Sequence, residues 1–287
     1  MGNLKIGIVG AGVIGTEYLK LILDGKVRNS QVNAICNATD KRFGYLKSIV
    51  PENVKFFTNV HEMLNQNLID GLIITTPHYD HPPIAKKAFK KGLHVLIDKP
   101  AGVYTKQVRQ MNVEALKSGK VFGIIYNQRT NTLYAKAREL VKSGDLGNLK
   151  RISWINTESY RSQSYYDSNK WRATWSGEGG GVLLNQSSHP IDLLQWICGM
   201  PQKIRAFMGY GKYHNIEVED DITAYMEYEN GATGVFITST GETPGTNRLE
   251  IIGDMGKIII ENQKIDYFKL KVSERKFNEE YKGGMGE

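Results

Sequence analysis

The chain has 287 residues, 40% hydrophobic and 23% charged, the make-up of an ordinary globular protein with room for two modest domains and a buried core. Its formal charge of +7 is spread along the sequence; with no basic arm, no basic–aromatic stripe and no zinc spacing, nucleic acid is not an expected partner, and the charge is suited to steering an anionic cofactor or substrate. No apolar run nears the roughly 20 residues of a membrane helix, the start MGNLKIGIVGAG lacks signal and myristoylation patterns, and two cysteines, Cys36 and Cys198, make no disulfide framework, so a cytoplasmic, reducing location with no membrane partner is expected.

The first segment, LKIGIVGAGVIG, is a β-branched run that breaks into Gly10-Ala11-Gly12-Val13-Ile14-Gly15, and TEYLKLIL follows with helical spacing. Strand, glycine turn and helix in that order form a dinucleotide fingerprint. Gly10 permits the turn, Gly12 lets a pyrophosphate approach the backbone, and Gly15 lets helix pack on strand, while the helix N-terminus offers N–H groups to the phosphates. Val13 and Ile14 lie in the same turn and are counted with the cofactor site. The second strand, QVNAIC, ends at Asn37, where an NAD-binding unit usually places Asp or Glu for the ribose. A neutral Asn37 followed by Lys41 and Arg42 removes a charge that repels a 2′-phosphate and supplies cations to pair with one. The two cations can equally open the next helix in solvent, with Asp40 as its cap. NAD and NADP both stay open, and the residues lean slightly to NADP.

Strands and helices continue to alternate through VKFFTN, VHEMLNQ, DGLIITT, PPIAKKAFKKG and LHVLID, which predicts a parallel, doubly wound sheet over residues 1–125 with ligands at the carboxyl ends of its strands. TTPHYDHPP and DKP sit at such ends, which makes Thr75, Pro77, His81 and Lys99 cofactor-site candidates. His78 and His81 have no third metal ligand in reach by sequence, so loop and helix-cap duty is the preferred reading and no metal is expected. Lys99 directly follows a buried strand, where it must snorkel, pair or act; Pro100 stiffens the turn, with a cis bond as one way to do so.

From residue 126 the pattern changes. KRISWINTES reads as a strand, PIDLLQWICG as a helix closed by Gly199, and KIRAFMGYG as another strand. DITAYMEYENGATGVFITST alternates on both sides of Asn230-Gly231, a hairpin signal, and LEIIGDMGKIIIEN and KIDYFKLKV continue a meander. Residues 126–287 are therefore expected to form a substrate and oligomerisation domain on an open, mostly antiparallel sheet. SERKFNEEYKGGMGE, after Val272, carries no apolar stripe.

Three stretches, GIVGAGVIG, TTPHYDHPPIAKKAFKKGLHVLIDKP at 75–100 and GGGVLLNQSSHPIDLLQWICGMP at 179–201, resemble the glucose–fructose oxidoreductase / inositol dehydrogenase (Gfo/Idh/MocA) family in content, order and separation. The resemblance implies a Rossmann domain joined to a second α/β domain whose sheet lines the substrate site, and oxidation of a sugar or cyclitol hydroxyl, or the reverse reduction, with NAD or NADP. It also implies further C-terminal helices, which this sequence lacks, and a homo-oligomer through the open sheet. The family's Glu-Lys-Pro stands here as Asp98-Lys99-Pro100, and its Asp-x-x-x-His as Asn185-Gln186-Ser187-Ser188-His189, so a carboxylate is missing and the imidazole is kept.

Moving a hydride from a C–H bond requires the hydroxyl proton to leave, and an imidazole titrates near neutral pH. His189 is accordingly expected as the base in oxidation and the acid in reduction, with Lys99 donating a hydrogen bond to the reacting oxygen. Asn185 is placed to hold a substrate hydroxyl, and the glycines before it to let backbone lie close to sugar or nicotinamide. Pro190 belongs in a first helical turn, so that helix is expected to start at Ser187 or Ser188, either of which can cap it. Tyr160, Arg161, Trp171 and Arg172 give flat faces with hydrogen-bonding tips suited to a polyhydroxylated ligand, or else a surface loop. Tyr126 and Arg129 are further candidates on the nicotinamide side. The competing reading is a non-catalytic NAD(P)-binding regulator or scaffold on the same fold.

Overall fold

A computed structural model describes residues 2–284. The chain divides into two compact units, one running to Ile125 and joined by Gly177–Gly179, the other made of Tyr126–Ser176 and the residues from Gly180 on.

The first unit contains strands β1 (Leu4–Val9), β2 (Ser30–Cys36), β3 (Lys55–Phe57), β4 (Gly71–Ile74), β5 (His94–Asp98) and β6 (Phe122–Ile125). They lie in the order β3-β2-β1-β4-β5-β6, every neighbour parallel. Helices α1 (Val13–Leu23), α2 (Phe43–Ile49), α3 (Val60–Asn65), α4 (His81–Lys90) and α5 (Thr105–Ser118) connect them. The strands read as unbroken apolar runs because both sheet faces are covered. Ile8, Leu19, Ile35 and Leu46 pack on one side, and Ile74, Ala85, Ile97 and Met111 on the other. The strand order reverses between β1 and β4, so the turn after β1 and the residues after β4 open a crevice at the carboxyl ends of the sheet.

The second unit holds α6 (Thr132–Lys142), β7 (Leu149–Asn156), α7 (Gln163–Asp167), α8 (Ser188–Cys198), β8 (Lys203–Tyr210), β9 (Glu219–Glu227), β10 (Thr233–Ser239), β11 (Asn247–Gly253), β12 (Gly256–Glu261), β13 (Lys264–Lys269) and α9 (Glu274–Glu280). Its sheet runs β13-β12-β11-β7-β10-β9-β8. The hairpin between β9 and β10 forms around Gly231 at φ +84°. The expected meander is interrupted once, between β10 and β11, and resumes through the antiparallel strands β11, β12 and β13. β7 inserts between β10 and β11, parallel to the first and antiparallel to the second. Its apolar residues explain the central place: Ile152 and Trp154 are buried among Ala137 and Leu140 of α6 and Leu193 and Ile197 of α8. The opposite sheet face is open, with Phe207, Tyr225, Ile155 and Phe268 exposed on it. Among the described residues no helix is long and apolar enough to cross a membrane.

Candidate active site

The glycine turn after β1 is built as a cradle. Gly10 has φ +91°, and a Cβ there would sit 2.7 Å from the Thr75 carbonyl carbon. A Cβ on Gly15 would meet the Thr75 hydroxyl at 2.5 Å and the Gly10 carbonyl oxygen at 2.6 Å. These two glycines serve the packing of turn, helix and β4 end. Gly12 differs: its nearest neighbour would be 3.8 Å away. It is also the N-cap of α1, with no side-chain cap bond to the first N–H groups. One glycine of the three thus faces open space at a bare helix N-terminus, the arrangement that a pyrophosphate requires.

Asn37 is buried at the end of β2, and its Oδ1 accepts from the Ala11 N–H at 2.7 Å. The residue at the expected ribose position therefore also braces the glycine turn, a task its amide performs without a charge. Arg42 reaches back so that its NH2 donates to the Thr16 hydroxyl at 3.3 Å, which sets a guanidinium beside the first turn of α1. Lys41 is exposed. Thr75 donates to the Gly10 carbonyl at 2.9 Å and locks β4 to the turn.

Pro77 begins a short 3-10 turn at His78–Asp80. His81 is 1% exposed, with Nδ1 2.8 Å from the Pro100 carbonyl and Nε2 2.7 Å from the Thr76 carbonyl. Expected at the cofactor, its ring instead clips together the two strand ends carrying Thr76 and Lys99-Pro100, the latter a cis peptide. It supports the site from beneath. Asp98 lies next to Lys99, and burial raises its carboxyl against the lowering influence of the lysine charge.

In the second unit His189 lies in the first turn of α8, after Ser187. The helix starts where Pro190 required, but neither serine caps it through the expected bond: the Ser187 hydroxyl pairs with Thr238 at 2.6 Å, and Ser188 donates to the Asn185 carbonyl at 2.9 Å. The His189 ring stands edge-on to Tyr126, 6.0 Å between centroids. One turn further on, Asp192 takes a two-pronged bond from Arg129, Nε to Oδ2 at 2.7 Å and NH2 to Oδ1 at 2.6 Å. That guanidinium also lies over Tyr126 and Trp196. Burial, followed by the Asp192 charge, raises the Tyr126 phenol, with Arg129 opposing, so it stays a neutral donor beside the imidazole.

His189 borders a cavity of about 780 Å³ with Asn131, Asn156, Asn247, Gln186 and Glu158 on its walls and Tyr134 and Trp154 among its apolar lining. An amide-rich wall with aromatic faces is suited to a ligand bearing several hydroxyls. The glycines of the 179–181 stretch serve another purpose than the one expected. A Cβ on Gly179 would strike Val103 at 2.5 Å, and one on Gly181 would lie 1.9 Å from the Glu219 carbonyl oxygen. They are there for the protein's own packing. Glu219 adds to this, accepting from the N–H groups of Gly181 and Leu183 at 3.0 and 3.2 Å.

Two family descriptions match the chain: "Oxidoreductase family, NAD-binding Rossmann fold" over residues 4–126 and "GFO/IDH/MocA C-terminal domain" over residues 134–259. The chain belongs to the GFO/IDH/MocA oxidoreductase family. It is 26% identical to an uncharacterized oxidoreductase of Escherichia coli over 69% of this chain and 55% of that protein. It is 23% identical to the inositol 2-dehydrogenase of Corynebacterium glutamicum over 80% of this chain and 65% of that one. The chain thus spans between about half and two thirds of the length of these relatives. Among solved structures, the WlbA dehydrogenase of Bordetella pertussis, in complex with NADH and UDP-GlcNAcA, has the same fold with a TM-score of 0.87 at 24% identity, covering 96% of this chain and 84% of that one.

Of the residues expected at the substrate, Arg161 and Arg172 gather around Tyr165, Trp171 lies against the Arg172 guanidinium, and Tyr160 is exposed beside them. Asn185 is held by its backbone N–H on the Gly181 carbonyl at 3.1 Å. None of these five lines the cavity beside His189. Asp192, Gln186, Asn156 and Tyr134 were not foreseen. For Asp192 a signal existed, since His-Pro-Ile-Asp puts the carboxylate one helical turn after the imidazole; Gln186 stands three residues before the imidazole, and Asn156 and Tyr134 come from elements distant in sequence.

Proposed function

We propose that this chain is an NAD(P)-dependent dehydrogenase or reductase acting on a hydroxyl or carbonyl of a sugar, cyclitol or related derivative. The observation that carries the reading is the glycine turn whose middle glycine is left open at a bare helix end, within a family of NAD-binding oxidoreductases. The relatives support the substrate class: the named ones include inositol 2-dehydrogenases and a WlbA dehydrogenase bound to UDP-GlcNAcA.

The nicotinamide coenzyme supplies or accepts the hydride when bound. The chain's residues do the rest. Gly10, Gly12, Gly15 and the N–H groups opening α1 hold the pyrophosphate, with Val13 and Ile14 at the same turn, and Thr75 and Pro77 border it. Lys99 donates to the reacting oxygen and stabilises its developing negative charge. His189 takes the hydroxyl proton in oxidation and returns it in reduction. A neutral Asn185 stands in place of the family's carboxylate, and the Tyr126 ring packs edge-on against this imidazole. Arg42 beside Thr16, with no carboxylate at Asn37, favours NADP over NAD.

Fluorescence titration with NADH and NADPH, followed by a panel of sugars and inositols read at the nicotinamide absorbance, tests the proposal. Binding of both coenzymes, tighter for NADPH, with turnover of a polyol is the expected result. Binding with no turnover across the panel replaces it with the regulator or scaffold reading. The protein is proposed to work in the cytoplasm as a homo-oligomer through the open face of the second sheet, where Phe207 is 79% exposed; Phe207→Asp is expected to shift the molar mass measured by light scattering to that of a monomer.

A further inference from the structure

The segment between β7 and α8 holds two cations that no carboxylate among the described residues pairs with. The guanidinium of Arg161 lies 5.0 Å from the centroid of the Tyr165 ring, and that of Arg172 lies 4.3 Å from the same centroid. Arg172 also stands 4.9 Å from the Trp171 ring. Arg161 NH1 donates to the Tyr160 carbonyl at 2.8 Å, and Arg172 NH1 to the Tyr165 hydroxyl at 2.6 Å. Among the described residues no carboxylate forms an ion pair with either one, and both Nε atoms are buried without an acceptor. Other arginines of the same unit differ. Arg129 holds Asp192 through two prongs, and Arg248 holds Glu250 and Glu261. Two like charges beside one ring repel each other, and a protein that only needed the stack's bulk could use neutral residues there.

The backbone holding this pair is fixed from behind. The Arg161 N–H donates to the carbonyl of Thr240, which is fully buried, at 2.9 Å. The Arg161 carbonyl faces Nε2 of His214 at 2.8 Å, and Nδ1 of that ring meets Asp220 at 2.9 Å. Asp220 is itself fully buried and accepts three backbone N–H groups, from Lys212, Tyr213 and His214. On the other side Ala173, directly after Arg172, is held at φ +51° while 2% exposed. A non-glycine residue persists in that region only where its surroundings impose it. Both arginines are thus preorganised before any ligand arrives.

We propose that Arg161 and Arg172, braced on Tyr165, form an oxyanion subsite apart from the cavity beside His189, one that takes the carboxylate or phosphate of an anionic sugar. Planar guanidinium forks bind both groups through paired, charge-assisted hydrogen bonds. This rests on the sugar oxidoreductase reading and narrows its substrate class.

Calorimetric titration of the NADH-loaded protein with glucuronate, glucose 6-phosphate and glucose decides it. One of the two anions is expected to bind at least tenfold tighter than glucose, and to weaken as salt is raised. The carboxylate and phosphate arms tell which group the arginines take. Arg161→Gln and Arg172→Gln are each expected to abolish that preference while NADH affinity stays at the wild-type value; Arg172→Lys, which keeps charge without the fork, retains part of it. Equal binding of glucose and both anions by the wild type overturns the proposal, and that arm stands even if a variant fails to fold. Turnover of neutral polyols with no anion preference would keep the oxidoreductase reading and remove the subsite. Failure to bind NADH would remove that reading instead, whatever the anions do.

Discussion

Two glycine-rich turns, at 10–15 and 179–181, look alike in sequence and do opposite things. In the first, two glycines pack against Thr75 and the third, Gly12, looks into open space at the start of α1. In the second, Gly179 and Gly181 are each closed off by the protein, one by Val103 and the other by the Glu219 carbonyl. A glycine run records only that a side chain is not tolerated. Whether a ligand or the protein's own backbone claims the room depends on what precedes and follows it, and a β-strand leading into an uncapped helix is what marks the ligand turn.

Substitutions can break this contrast. Gly181→Ala puts a methyl group 1.9 Å from a backbone oxygen that has no rotamer to escape by; a loss of about 3 kcal/mol or failure to fold is expected, read by denaturant titration. Gly12→Ala meets only the Gly10 carbonyl oxygen at an unstrained 3.8 Å, so stability should fall by no more than about 1 kcal/mol from the poorer N-cap, while NADH affinity falls at least tenfold, about 1.4 kcal/mol. Were the two variants to behave alike, the contrast would be wrong.

A smaller effect is expected at the brace of His189. Asp192 is buried but the side chain of its partner Arg129 is 38% exposed, so water screens part of the loss, and Asp192→Asn should cost about 1 kcal/mol. The pH profile of kcat should shift as well. Titratable groups that touch that imidazole or share its cavity include Tyr126, Tyr134, Glu158 and Glu261, with the Arg129–Asp192 pair one turn along α8.

The smallest effect belongs to Glu219 behind the second glycine turn. Burial raises its carboxyl, against the lowering influence of its N–H donors. A carboxyl raised on folding binds its proton more tightly in the native state. Its contribution is therefore complete below the unfolded value of 4.5 and lost as the pH rises through the higher folded value. Glu219→Gln keeps an acceptor for Gly181 and Leu183, so stability at neutral pH should change by about 1 kcal/mol or less, and the fall of stability above pH 4.5 should flatten in thermal melts at a series of pH values.

Where the determinants are local, the sequence was readable. The glycine turn, the strand–helix alternation and the Asn230-Gly231 hairpin each follow from a few adjacent residues, and so does the start of α8 at Pro190. The partners of those segments were not readable. α5 and α6 do carry helical spacing, Met111 with Ala115 and Tyr134 with Ala137, but the partners those faces pack against lie elsewhere in the chain. The placing of β7 between β10 and β11 depends on pairing across some eighty residues or more. At the site the same line holds: the turn of Gly10, Gly12 and Gly15 is legible from spacing, whereas the bond from Ala11 to Asn37, the enclosure of His81 by two carbonyls and the convergence of Arg161 and Arg172 on Tyr165 exist only once distant segments meet.

The central claim is that Lys99 and His189 handle the oxygen and proton of a hydride transfer. The most direct test is turnover by Lys99→Met and His189→Ala on a polyol that the wild type oxidises, with NADH binding measured in parallel. Each variant is expected to lose about 100-fold or more in kcat and still bind NADH; wild-type turnover in either one would contradict the account.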